Sequence, residues 1–151
     1  MSSLRAVLLL LALLAALRPA HAADEVFGRW ATPGVSAVVE LAPCSGGVTL
    51  CGTIRWLWDA HDERGRPRLD AQNADTKLRT RPLVGLTILS DLKADPAGGW
   101  QGRIYNPEDG QTYRATVKRH GADTLVVEGC VLIVCSKQMW RKATSVVEAL
   151  R

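Results

Sequence analysis

Eight short runs in which apolar and polar residues alternate, each closed by Gly, Pro, Asn or Asp, dominate this chain. A period of two puts successive side chains on opposite faces of an extended strand, and helical periodicity is nearly absent. The runs are Val26–Ala31, Ser36–Ala42, Val48–Trp58, Leu86–Leu92, Trp100–Asn106, Gln111–Lys118, Thr124–Cys130 and Val134–Arg141. In the third, Val48, Leu50, Ile54, Trp56 and Trp58 are expected on one face, with Thr49, Thr53 and Arg55 on the other. Asn106-Pro-Glu-Asp-Gly110 has turn chemistry at nearly every position and joins two strands as a hairpin, and Arg119–Asp123 does the same for the next pair. Consecutive strands with short connections predict an all-β fold, a small antiparallel up-and-down barrel of about eight strands, because closure removes exposed edges. A β-sandwich is the alternative.

Asp59 to Gly85 breaks the alternation. It exceeds the roughly 12 to 15 residues that a structureless loop inside a compact domain usually reaches, so it is expected to be functional or partly ordered. Asn73 or Asp75 can cap a short helix through Leu78, ended before Pro82.

The beginning of the chain reads as an export signal: Arg5, an apolar run from Ala6 to Leu17, and the small-x-small triplet Ala20-His21-Ala22. Roughly 12 apolar residues are too few to span a bilayer that needs about 20, so residues 1–22 are expected to be cleaved, leaving residues 23–151 as one domain without a membrane-spanning segment. Loss of Arg5 and Arg18 lowers the net charge from +4 to +2. The remaining arginines concentrate between Arg64 and Arg81, interleaved with Asp62, Glu63, Asp70 and Asp75, a mixed-charge loop unlike the basic stripe that nucleic acid requires. The expected location is periplasmic or secreted.

In an oxidising compartment four cysteines imply disulfides. Cys44–Cys51 spans a Gly46-Gly47 turn and is the preferred pair, leaving Cys130–Cys135, whose intervening Val-Leu-Ile-Val has no turn residue; cross-pairing of the two segments stays open. Zinc is disfavoured because the six residues between Cys44 and Cys51 exceed the usual two to four. Asp59, His61, Glu63 and Asp70 are spaced like ligands of a calcium loop, but Arg64 stands where such a loop requires Gly. No metal, cofactor or catalytic residue is therefore assigned.

Asp70, Asn73, Arg79 and Arg81 are the candidate polar ligand-binding cluster, with Trp56, Trp100 and Tyr113 as aromatic lining. The plainer reading, and the preferred one, is that Asp70 pairs with Arg81 to hold the long loop against the barrel, and that the five tryptophans serve mainly as core.

The ordered set Gly28-Arg-Trp30, Val39-Glu-Leu41, Cys44, Cys51-Gly52, Asp70-x-x-Asn73, Arg81-Pro-x-x-Gly85, Trp100-x-Gly-x-Ile-Tyr-Asn-Pro107-x-x-Gly110-x-x-Tyr113, Gly129-Cys130, Cys135 and Trp140 resembles the DUF2147 family of exported bacterial proteins. Ala74 after Asn73, and Arg141 directly after Trp140, depart from its pattern. The resemblance implies compartment and fold more than chemistry. Gly28, Trp30 and Arg141 are also similar to the closure signature of lipocalin-like barrels, in which a late Arg covers a first-strand Trp. The function expected is a binding module for an unknown small or amphipathic molecule. The alternatives are a solid barrel contacting an envelope component, and a hydrolase or isomerase using loop carboxylates with Asp70 foremost.

Overall fold

The computed structural model describes residues 26–144; the expected signal segment, 1–22, lies outside them. Eight antiparallel strands follow one another around a closed barrel: β1 (Gly28–Ala31), β2 (Ala37–Pro43), β3 (Leu50–Leu57), β4 (Thr87–Ala94), β5 (Trp100–Asn106), β6 (Gln111–Arg119), β7 (Thr124–Val131) and β8 (Val134–Lys142). Closure is made by Trp30 opposite Lys142 and Ala31 opposite Arg141. The up-and-down barrel is thus present and the sandwich is not. No helix among the described residues is long and apolar enough to cross a membrane.

Inward residues at alternate positions fill most of the interior. Trp30, Val39, Leu41, Leu89, Leu92, Val117, Leu125 and Trp140 are all buried. Each buried aliphatic side chain contributes about 1.5 to 3 kcal/mol relative to exposure. Trp30 donates its indole N–H to the Val26 carbonyl at 2.9 Å, so the largest core side chain leaves no polar atom unpaired.

Three local features differ from the sequence reading. In β3, Val38 pairs with Trp56 and Val39 with Ile54, so Arg55 is an extra residue and the alternation slips by one. Leu57 then packs on the core, whereas Trp56 and Trp58 turn outwards and meet edge to face at 6.1 Å. Val48, expected in the same strand, sits exposed in the Gly46-Gly47 turn. At the closure, the cation over the Trp30 ring is Lys142 at 5.7 Å, not Arg141. Register decides this: Lys142 lies opposite Trp30, while Arg141 lies opposite Thr124 and donates to its hydroxyl at 3.1 Å.

Both preferred disulfides are formed, Cys44–Cys51 and Cys130–Cys135. The second joins directly paired residues of β7 and β8. Its turn is made by Leu132, at a φ of 53°, and Ile133, so a left-handed conformation is held without Gly or Asn.

The Asp59–Gly85 connection is ordered. It carries two isolated bridges, His61 to Pro67 and Leu69 to Pro82, and a single 3-10 turn, Thr76–Leu78, capped by Asp75 through the Lys77 amide. Asp62 gathers the Arg64 and Arg66 amides at 2.9 Å each, closing the tip of the loop.

Candidate ligand cavity and its loop anchor

In an up-and-down barrel alternate connections share one end, so the long loop, the β5–β6 turn and the β7–β8 tip meet there. A cavity of about 360 Å³ opens between the β5–β6 hairpin and the β7–β8 pair. Its walls follow from the period of two. On β7 the buried Leu125 and Val127 continue to Gly129 and Val131; on β8 the buried Trp140 continues outward to Gln138, Ser136 and Val134. A Cβ on Gly129 would come within 3.2 Å of Ile104, so the missing side chain keeps this wall open. Gln138 accepts the Trp140 indole N–H at 2.8 Å, linking the lining to the core.

The rim is built by the β5–β6 hairpin. Asp109 accepts the Tyr113 hydroxyl at 2.6 Å, the Asn106 side-chain amide at 2.9 Å and the Gln111 backbone N–H at 2.9 Å. The hydrogen bond from Tyr113, with those from Gln111 and Asn106, outweighs desolvation and holds the Asp109 carboxyl below its ordinary range. The same bond raises the Tyr113 phenol.

Tyr105 belongs to both the cavity and the loop. One side of it lines the cavity, and its hydroxyl donates to Asp70 at 2.5 Å. Asp70 is fully buried (0% exposed) and also accepts from Asn73 at 2.8 Å and from Arg81, through Nε and Nη2, at 2.8 Å. Arg79 donates to the Asn73 carbonyl at 2.7 Å. Burial pushes the Asp70 carboxyl up, but the hydrogen bonds from Tyr105, Asn73 and Arg81, with the Arg81 charge, win and hold it below its ordinary range. Burial and the bond to Asp70 push the Tyr105 phenol up.

The four polar residues singled out in the sequence therefore do converge, on one another. Among the described residues no buried side-chain polar atom lacks a partner, so the cluster anchors the loop and leaves Asp70 no oxygen for a ligand. Of the aromatic residues expected as lining, Tyr113 is in the cavity wall, Trp56 is outside the barrel because of the Arg55 bulge, and Trp100 packs on the core. Ser136, Gln138 and Asp109 were not foreseen. The available signal was polar residues at alternate positions leading to Trp140, which must face inward.

Glu128, Cys130 and Cys135 bring potential metal-ligand atoms within 4.8 Å of one another, but the two sulfurs are bonded to each other, which removes them as thiolate ligands.

The family described as "Uncharacterized protein conserved in bacteria (DUF2147)" matches residues 28–142, from the first strand of the barrel to the last. The chain belongs to the DUF2147 family. Comparison with curated proteins gave no match. Among solved structures, this DUF2147 barrel is similar to one described as "Protein HP1028 from the human pathogen Helicobacter pylori belongs to the lipocalin family", at 20% sequence identity, covering 83% of this chain and 88% of that one with a TM-score of 0.68. At that identity the likeness concerns the fold, which is lipocalin-like.

Proposed function

We propose that this DUF2147 protein is an exported, non-enzymatic binding module that holds a small amphipathic molecule in the open end of its barrel. The observation that carries the reading is the 360 Å³ cavity, apolar at Ile104, Val127 and Val131 and polar at Ser136, Gln138 and Tyr113. Its size falls in the usual range for small-molecule sites, and its few polar groups suit one polar end on an apolar body. The lipocalin-like fold is compatible with such a role but does not assign it. Export is supported by the leader-like residues 1–22 and by two disulfides, which persist in oxidising compartments. A hydrolase using Asp70 is disfavoured, because that carboxylate is buried and fully engaged.

A second reading, contact with an envelope component through the outside of the barrel, draws on Leu132 and Ile133, 82% and 95% exposed, and on the outward Trp58. Native mass spectrometry of the protein purified gently from the periplasm separates the two. Cavity binding predicts an added mass below about 500 Da that denaturation releases. A bare protein that also fails to take up amphiphiles on titration would sink the cavity reading in favour of the surface.

A further inference from the structure

We infer that the cavity selects amphiphiles whose polar end is uncharged and hydrogen-bonding, such as an alcohol, and rejects those ending in a carboxylate. The inference rests on the cavity-binding reading above and adds the chemical class of the ligand.

Three observations carry it. First, among the described residues the cavity lining contains no Lys, Arg or His, and Asp109 is its one carboxylate. An anionic head group placed there meets the like charge of Asp109 at the rim and no cation in the lining. Second, the nearby cations are committed elsewhere. Arg81 is bound to the buried Asp70, Arg114 donates to the Leu132 carbonyl at 2.8 Å, and Lys137 pairs with Glu128 at 3.4 Å. Third, the polar groups left for a ligand are neutral. Gln138 uses its oxygen on Trp140, and neither its amide N–H groups nor the Ser136 hydroxyl has a hydrogen-bond partner among the described residues. A hydroxyl both accepts from Gln138 and exchanges a bond with Ser136. Asp109 already takes three donors, which leaves it poorly placed to bind a cationic head group closely but keeps its charge at the rim.

Decan-1-ol and decanoate share a chain and differ in the polar end, so calorimetric titration of the mature disulfide-bonded protein at pH 7.5 tests the inference. Decanol is expected to bind at least tenfold more tightly than decanoate. Ser136→Lys, at an exposed position of the lining, adds the missing cation and is expected to narrow that ratio below threefold. Ser136→Trp fills the cavity and is expected to abolish decanol binding without lowering the melting temperature. Decanoate binding within tenfold of decanol in the unmodified protein, or a ratio unmoved by Ser136→Lys, overturns the selectivity while leaving cavity binding in place. Uptake of neither probe, or decanol binding that survives Ser136→Trp, overturns the cavity reading and the selectivity with it.

Discussion

Tyr105 and Asp70, 35 positions apart in sequence, share a 2.5 Å hydrogen bond that fastens the long β3–β4 connection to the cavity wall. Asp70 brings the loop, through Arg81 and Asn73; Tyr105 brings the barrel, through β5. Arg81 also lies over the Tyr105 ring, 5.8 Å from its centroid, so cation and phenol are held by the same carboxylate. The loop is thus tied to the barrel by a buried ionic cluster that lies outside the cavity itself.

Asp70→Asn removes the charge from this cluster and turns an amide N–H₂ towards groups that donate. A buried ion pair broken on one side costs about 3 to 5 kcal/mol, but the Arg81 side chain is 37% exposed and recovers some solvation, so about 2 to 3 kcal/mol is expected. That is a fall of roughly 6 to 12 °C in melting temperature. Decanol affinity, measured well below the transition, should change less than threefold. A variant that melts like the parent but no longer binds would transfer Asp70 from the anchor to the site.

Acid should act through the same residue. The Asp70 carboxyl titrates lower in the folded chain than in the unfolded one, so its contribution is fully present above the ordinary carboxylate range and is lost as pH falls through the folded value. Between pH 7 and about 5 the difference in stability between parent and Asp70→Asn is expected to stay constant; below about pH 4 it should shrink. Taking the difference matters, since Asp109 and Glu40 are also held low and add to the parent's own acid sensitivity. Urea titrations of both proteins at a series of pH values test this, and a gap that widens in acid would contradict the cluster's charge state.

The eight strands were legible because each alternates against turn residues, and so was the pairing of Cys44 with Cys51 across two glycines. What failed has local causes. One extra residue, Arg55, reverses the facing of everything after it in β3, and nothing in the alternation announces a bulge. The closing cation was misassigned by one position, since the choice between Arg141 and Lys142 depends on register against β1, which a single sequence does not specify. Asp70, Asn73, Arg79 and Arg81 were gathered correctly, but the sequence carries no sign that Tyr105 arrives to complete the set and bury it. The cavity residues on β8 were missed because Ser136 and Gln138 look like ordinary surface positions until Trp140 fixes which face is inward.

The two disulfides close loops of similar length, with sequence separations of 7 and 5, and loop entropy assigns each about 2 kcal/mol. Their local consequences should differ. The Cys44–Cys51 turn keeps Gly46 and Gly47, which adopt positive φ without strain, whereas Leu132 holds a φ of 53° that costs a β-substituted residue about 1 kcal/mol. Replacing Cys130 and Cys135 by Ser is therefore expected to raise amide exchange sharply across residues 131–134. The corresponding double Ser variant at 44 and 51 should destabilise to a similar extent with little change in exchange across 45–50. Equal protection of both tips after removal of their cross-links would mean that hairpin pairing alone sets the β7–β8 turn.

Two glycines with nearly the same φ separate conformational strain from packing. Gly110 and Gly121 have φ of 71° and 75°, so Ala at either position pays about 1 kcal/mol for the left-handed conformation. At Gly121 a Cβ meets nothing within 4 Å, and that cost should be the whole effect. At Gly110 it would collide with the Gln72 carbonyl, next to Asn73 in the loop anchor, so the loop must lift or the hairpin must twist. Gly110→Ala is accordingly expected to cost about 2 to 4 kcal/mol, in the range of overpacked sites, and to speed proteolysis within residues 59–85, with Gly121→Ala leaving that cleavage unchanged. Equal losses in the two variants would show that the loop does not press on the hairpin, and would remove the mechanical link between Asp70 and the cavity rim.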